Sequence, residues 1–216
     1  MKLKSKILSL VALGAVIING CGDGNTETKA KATNSFDKNT GAKLQTDVAA
    51  RWMQRTNASG SRSSQFTLTK SAIAVAAKDG NLGVALHHAL DESGNYTLLA
   101  VVVGPDSKLW TSSMIVNTST GETIDNVTAH TWAKNYMTAN TGKIRYHFSG
   151  VHVFESILAT AGMNHVSLEA VINDDGQPQI LMVVWGANTG GRIQSDPLDV
   201  YDFTAPCPNT CPSGDN

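Results

Sequence analysis

Residues 148–186 restate residues 66–104. At a constant offset of 82, without a gap, the two 39-residue stretches share ten identities, among them Phe66/Phe148, Gly80/Gly162, Leu86/Leu168, Gly94/Gly176 and Gly104/Gly186. Unrelated stretches of that length share about two or three. The exchanges between identities keep character, as in Val75/Ile157, Leu90/Ile172, Leu98/Ile180 and Asp91/Asn173. Further back, at an offset of 80, Ala49 and Trp52 meet Ala129 and Trp132. The chain reads as a tandem duplication of one unit of roughly 80 residues. A unit of that size buries a small share of its surface and is marginal alone, so the two are expected to pair in one domain. Two separate beads are the alternative.

The first 20 residues stand outside this plan. Lys2, Lys4 and Lys6 precede an apolar run from Ile7 to Ile18, the pattern of a secretory signal peptide. Twelve apolar residues fall short of the roughly 20 that span a bilayer. Ile18-Asn19-Gly20-Cys21 resembles the lipobox of bacterial lipoproteins. That resemblance implies acylation of Cys21, which becomes the mature N-terminus and an anchor to the membrane, since several buried acyl chains hold a protein almost permanently. Residues 22–45, rich in Gly, Asn, Thr and Lys with the lone aromatic Phe36, are expected to form a disordered tether. Without residues 1–20 the chain has 14 basic and 18 acidic residues, a formal charge of −4, which argues against a nucleic-acid partner. Once Cys21 is assigned to lipid, Cys207 and Cys211 remain, and in an oxidising compartment a small disulfide-closed loop is the favoured reading. Metal ligation and a redox couple are the alternatives at that spacing, which is not Cys-x-x-Cys and has no following His.

Each unit is expected to read helix, helix, hairpin. Thr46-Asp47 can cap a helix through Val48, Trp52 and Arg55, and a second helix begins near Thr69 and stops at Asp79-Gly80. Val84, Leu86, His88 and Leu90 alternate with Ala85, His87 and Ala89, a strand with one buried face. After the turn at residues 91–94, residues 98–103 are apolar on both faces, as in an inner strand. Residues 109–116 could add an edge strand. The second unit repeats the plan: a helix with Ala129, Trp132 and Tyr136, a helix capped by Ser149 and ended by Gly162, and a hairpin turning at residues 173–176. Residues 198–203 make at most a short strand. The domain plan is therefore a signal peptide (1–20), a tether (21–45), a first unit with its connector (46–126), a second unit (127–204) and a cysteine-containing tail (205–216). The expected fold class is α+β, one antiparallel sheet of at least four strands with the helices on one face, about a pseudo-twofold axis.

The run Trp132-Ala-Lys-Asn-Tyr136, His147-Phe148-Ser-Gly150, Asp174-Asp-Gly176, Val183-Val-Trp-Gly186 and the Cys-Pro-x-x-Cys end at Cys207–Cys211 resembles a group of small uncharacterised Bacteroidota proteins. The resemblance covers about residues 127–211 and, through the repeat, 47–104. It implies no activity, and the first unit departs from it in lacking the cysteine tail.

Neither unit holds a cofactor motif or a recognisable catalytic constellation. His87 and His88 are adjacent on a strand and face opposite sides, which prevents both from binding one ion. His147 and His152 flank a helix start, and a metal- or His-dependent hydrolase built on them is an alternative to a binding role. No Gly-x-Ser-x-Gly is present. Asp174-Asp175 occupies a hairpin turn where Asp-Gly is required by backbone geometry. Trp185 ends an apolar strand beside Gly186 and Gly190-Gly191, either lining a ligand groove or covering the sheet edge. These features suggest an envelope protein lipid-anchored at the outer membrane, facing either the periplasm or the exterior, that acts as a non-catalytic binding or structural module for an envelope protein or small ligand. An inhibitor or immunity protein is a further alternative.

Overall fold

The computed structural model describes residues 36–58, 66–187, 197–203 and 205–207. In chain order they form β1 (Ala42–Lys43), α1 (Thr46–Ala58), β2 (Phe66–Thr69), α2 (Lys70–Ala76), β3 (Gly83–Leu90), β4 (Tyr96–Val103), β5 (Ile115–Asn117), α3 (Asn126–Ala139), β6 (Tyr146–Gly150), α4 (Val151–Ala159), β7 (Met163–Ile172), β8 (Pro178–Gly186), β9 (Asp199–Asp202) and β10 (Ala205–Cys207). The class is α+β, with two antiparallel five-stranded sheets in place of the single sheet expected. One runs β1-β9-β8-β7-β2 and the other β10-β6-β3-β4-β5.

The two expected hairpins, β3–β4 and β7–β8, lie in different sheets. Their registers nevertheless agree at the repeat offset: Val84 faces Val102, and Val166 faces Val184. What joins the units is a pair of strands that the sequence reading treated as connections. β2 crosses to pair with β7, Leu68 opposite Val166, and β6 crosses to pair with β3, Phe148 opposite Ala85. Each unit thus lends the other a strand, which excludes separate beads. β6 also displaces the expected cap: Ser149 is buried inside the strand, and Gly150 is the residue preceding α4, with no side-chain cap.

Helices do not gather on one face. α1 packs against β7 and β9 on the outer side of the first sheet, and α3 packs against β3 on the outer side of the second. Between the sheets, α2 and α4 touch each other and fill the central core with Ile73, Ala76, Val153, Phe154 and Ile157, against Leu86, Val102, Leu168 and Met182. Because both faces of each sheet are covered, the inner strands are apolar on both sides, as residues 98–103 suggested. Thr69 caps α2 by accepting from the Ala72 N–H at 3.2 Å, and Asp125 caps α3 through the N–H groups of Val127 and Thr128 at 2.9 and 3.0 Å.

The ends also join the fold. Phe36 is buried against Phe148 and Tyr146, and β1 pairs with β9, so residues 36–45 of the expected tether belong to the domain. The chain passes so close to Gly150, whose N–H donates to the Thr40 carbonyl at 2.7 Å, that a Cβ there would meet the Lys38 carbonyl. From the tail, β10 pairs with β6. Cys207 is buried and disulfide-bonded; Cys21 and Cys211 lie outside the described residues. Among the described residues no helix is long and apolar enough to cross a membrane.

Candidate binding site

The amphipathic face of α1 sets Ala49 and Trp52 onto the apolar outer face of β7, β8 and β9. Its C-terminal end is pinned. Arg51 makes a two-bonded contact with the Asp174 carboxylate at 3.0 and 2.9 Å, and Arg55 reaches Asp174 at 2.7 Å and the Asn173 carbonyl at 2.8 Å. The Thr56 hydroxyl donates to the Trp52 carbonyl and accepts the Ile172 N–H at 2.9 Å. Asp174 therefore does more than shape a turn: the paired guanidinium of Arg51 holds its carboxyl well below the usual range.

Between these anchors the helix stands off the sheet. The gap is an open groove of about 190 Å³, walled on one side by Ala49, Ala50 and Met53 and floored on the other by Val171, Val183, Trp185 and Val200. Thr46, Thr56, Asn57, Glu169, Ala170 and Pro197 complete its lining. Trp185 is buried, and its indole N–H donates to the Ser167 hydroxyl at 2.9 Å. The indole consequently offers the groove an apolar surface with its polar edge already satisfied. The Thr56 hydroxyl, also in the lining, is occupied as well. Such a lining suits an apolar guest with few hydrogen-bonding groups. Trp185, singled out in the sequence, is among the residues that line the groove. The helical half of that groove carried no signal, because Ala49, Ala50 and Met53 read as an ordinary core-facing stripe.

The histidines are placed differently. His87 and His147 are buried, and desolvation first of all pushes each down to about 4. Desolvation likewise lowers His88, followed by repulsion from His147, to about 3. His88 lies on the inner face, with Nδ1 2.6 Å from the Tyr96 hydroxyl and its ring stacked on Tyr136 at 5.1 Å. His87, on the opposite face, leans on Trp110 at 5.2 Å, and Trp110 stacks on His130 at 4.7 Å. Neutral rings packed among aromatics are core members. His147 and His152 serve separate neighbourhoods: the His147 ring lies 5.5 Å from that of His88, and His152 holds the Lys38 and Gly41 carbonyls at 2.8 and 3.1 Å. Among the described residues no three or more His, Cys, Asp or Glu side chains are grouped to hold a metal.

Fold and site together define an α+β protein of two facing antiparallel sheets, each with a helix on its outer face, one of those helices standing over an apolar groove. Comparison with protein-family models, with curated proteins and with solved structures finds no match to this chain.

Proposed function

We propose that this protein is a lipid-anchored component of a bacterial envelope that binds a small, mainly apolar molecule, without chemistry, in the groove under α1. The observation that carries the binding role is the groove itself, an unfilled volume of about 190 Å³ floored by Trp185 with its N–H already engaged. The anchor and the address rest on the apolar leader and on Cys21 in its lipobox-like setting, and a Cys207–Cys211 bridge fits the same compartment. We read the architecture as a duplication about a pseudo-twofold axis, supported by the equal hairpin registers and the reciprocal exchange of β2 and β6.

Binding is tested with the neutral fluorescent probe N-phenyl-1-naphthylamine. The reading expects saturable enhancement with one site per chain, lost in Trp185→Ala at unchanged helix and sheet content. Enhancement that never saturates, or that survives the substitution, would refute it. Anchoring is tested by feeding cells an alkyne-bearing fatty acid: Cys21→Ser is expected to abolish labelling, and persistent labelling would contradict the lipid assignment.

A further inference from the structure

The two halves offer the same space and fill it differently. Register places Glu169, Val183 and Trp185 of β7 and β8 where His87, Val101 and Val103 stand in β3 and β4. The neighbouring strands agree: Val101 faces Ile115 in β5, and Val183 faces Val200 in β9. In the helices, at the repeat offset of 80, Ala49 and Ala50 of α1 answer to Ala129 and His130 of α3. The helix-to-sheet space of the second sheet, among Val101, Val103, Ile115 and Ala129, is closed by Leu109 and Trp110 from the connector between β4 and β5. Trp110 lies between the rings of His87 and His130, at 5.2 and 4.7 Å. Among the described residues under α1 the three-ring stack has no counterpart. Glu169 replaces His87, Ala50 replaces His130, and the matching connector, residues 187–198, has no aromatic residue. Although Trp185 replaces the smaller Val103, about 190 Å³ stays open.

We infer that the groove under α1 takes a planar aromatic molecule of one or two fused rings, seated where the other half seats its own indole. A dry cavity of roughly 150 Å³ takes up benzene, so the available volume admits an indole-sized ring system. The small apolar side chains of Ala49, Val183 and Val200 line the space and leave room for a ring.

This inference rests on the groove being a ligand site, and the experiment separates the two. Calorimetric titration of the purified full-length chain compares indole, tryptamine, indole-3-acetate and 1-octanol. The expected result is one-to-one saturation by the three indoles, with 1-octanol at least tenfold weaker. Ala50→Trp, which supplies the missing ring from the helix, is expected to abolish indole binding while the unfolding transition stays cooperative; Met53→Trp replaces it if that variant fails to fold. If 1-octanol saturates the site and indole does not, the aromatic class is overturned and the binding reading survives. If none of the four binds below millimolar concentration, both fall. Undiminished indole binding in a folded, groove-filled variant would also overturn the inference, because the ring would then sit elsewhere.

Discussion

Lowering the pH from 7.5 to 5 is expected to remove much of the stability of this fold before any carboxylate is involved. His87 and His147 are held near 4 in the folded chain, against about 6.5 in an unfolded one. Their folded values are depressed, so below 6.5 the unfolded chain takes up protons that the native chain refuses, and stability falls as pH falls towards 4. Integrated to pH 5, each of the two contributes a loss of about 2 kcal/mol. His88, lowered further but retaining some exposure, adds at most about the same again. The total, about 4 to 6 kcal/mol, is comparable to the whole stability of many domains, about 5 to 15 kcal/mol. Urea unfolding followed by circular dichroism at pH 7.5, 6 and 5 measures it directly. His147→Gln is the internal control, since removing one of the rings should flatten the pH dependence by about a third to a half whatever it does to stability at pH 7.5. A stability constant within about 1 kcal/mol between pH 7.5 and 5 would refute the burial of these rings as the cause.

Further perturbations address other parts of the structure. Phe154→Ala, at a fully buried ring in the central core, should cost about 3 to 5 kcal/mol in urea unfolding. Gly150→Ala should push residues 38–40 off the domain, because the new Cβ meets the Lys38 carbonyl, and is checked by faster proteolytic cleavage near residue 40. Asp174→Ala, which frees Arg51 and Arg55 at the end of α1, should lower the melting temperature modestly, and the deficit should shrink in 1 M salt (Debye length about 3 Å). Residues 36–125 and 126–216 expressed apart should each stay unfolded and should fold when mixed, since β2 and β6 find their partners across that division; a half that folds alone would contradict the exchange.

The local parts of this fold were legible in the sequence. The strand at residues 84–90, the glycine turns at Gly94 and Gly176 and the helix start near Thr69 are each set by residues a few positions apart and stand where expected, except that β3 buries both faces where its alternation suggested one, because α3 covers the Ala85, His87 and Ala89 side. The exchange of β2 and β6 was not legible. Phe66-Thr-Leu-Thr69 does alternate, with Phe66 and Leu68 buried, yet four residues running straight into a helix give a weak strand signal, and nothing in a strand names its partner. From that omission followed the single sheet and the one-sided helices. At the site, Trp185 was singled out by its place at the end of an apolar strand, whereas the facing wall of α1 and the hold of Arg51 on Asp174, 123 residues apart, come from tertiary packing. The groove became visible only by contrast with its filled counterpart, where His87, Trp110 and His130 meet from three separate elements.

The four tryptophans, Trp52, Trp110, Trp132 and Trp185, provide the most direct test of the groove as the working site. Indole N–H resonances of the ¹⁵N-labelled protein, assigned by substitution, are followed during titration with unlabelled indole. The account predicts a saturable shift at Trp185, with Trp52 of the same cluster following at smaller amplitude and with Trp110 and Trp132, on the filled side, unmoved. A response centred on Trp110, or equal small drifts at all four without saturation, would contradict it.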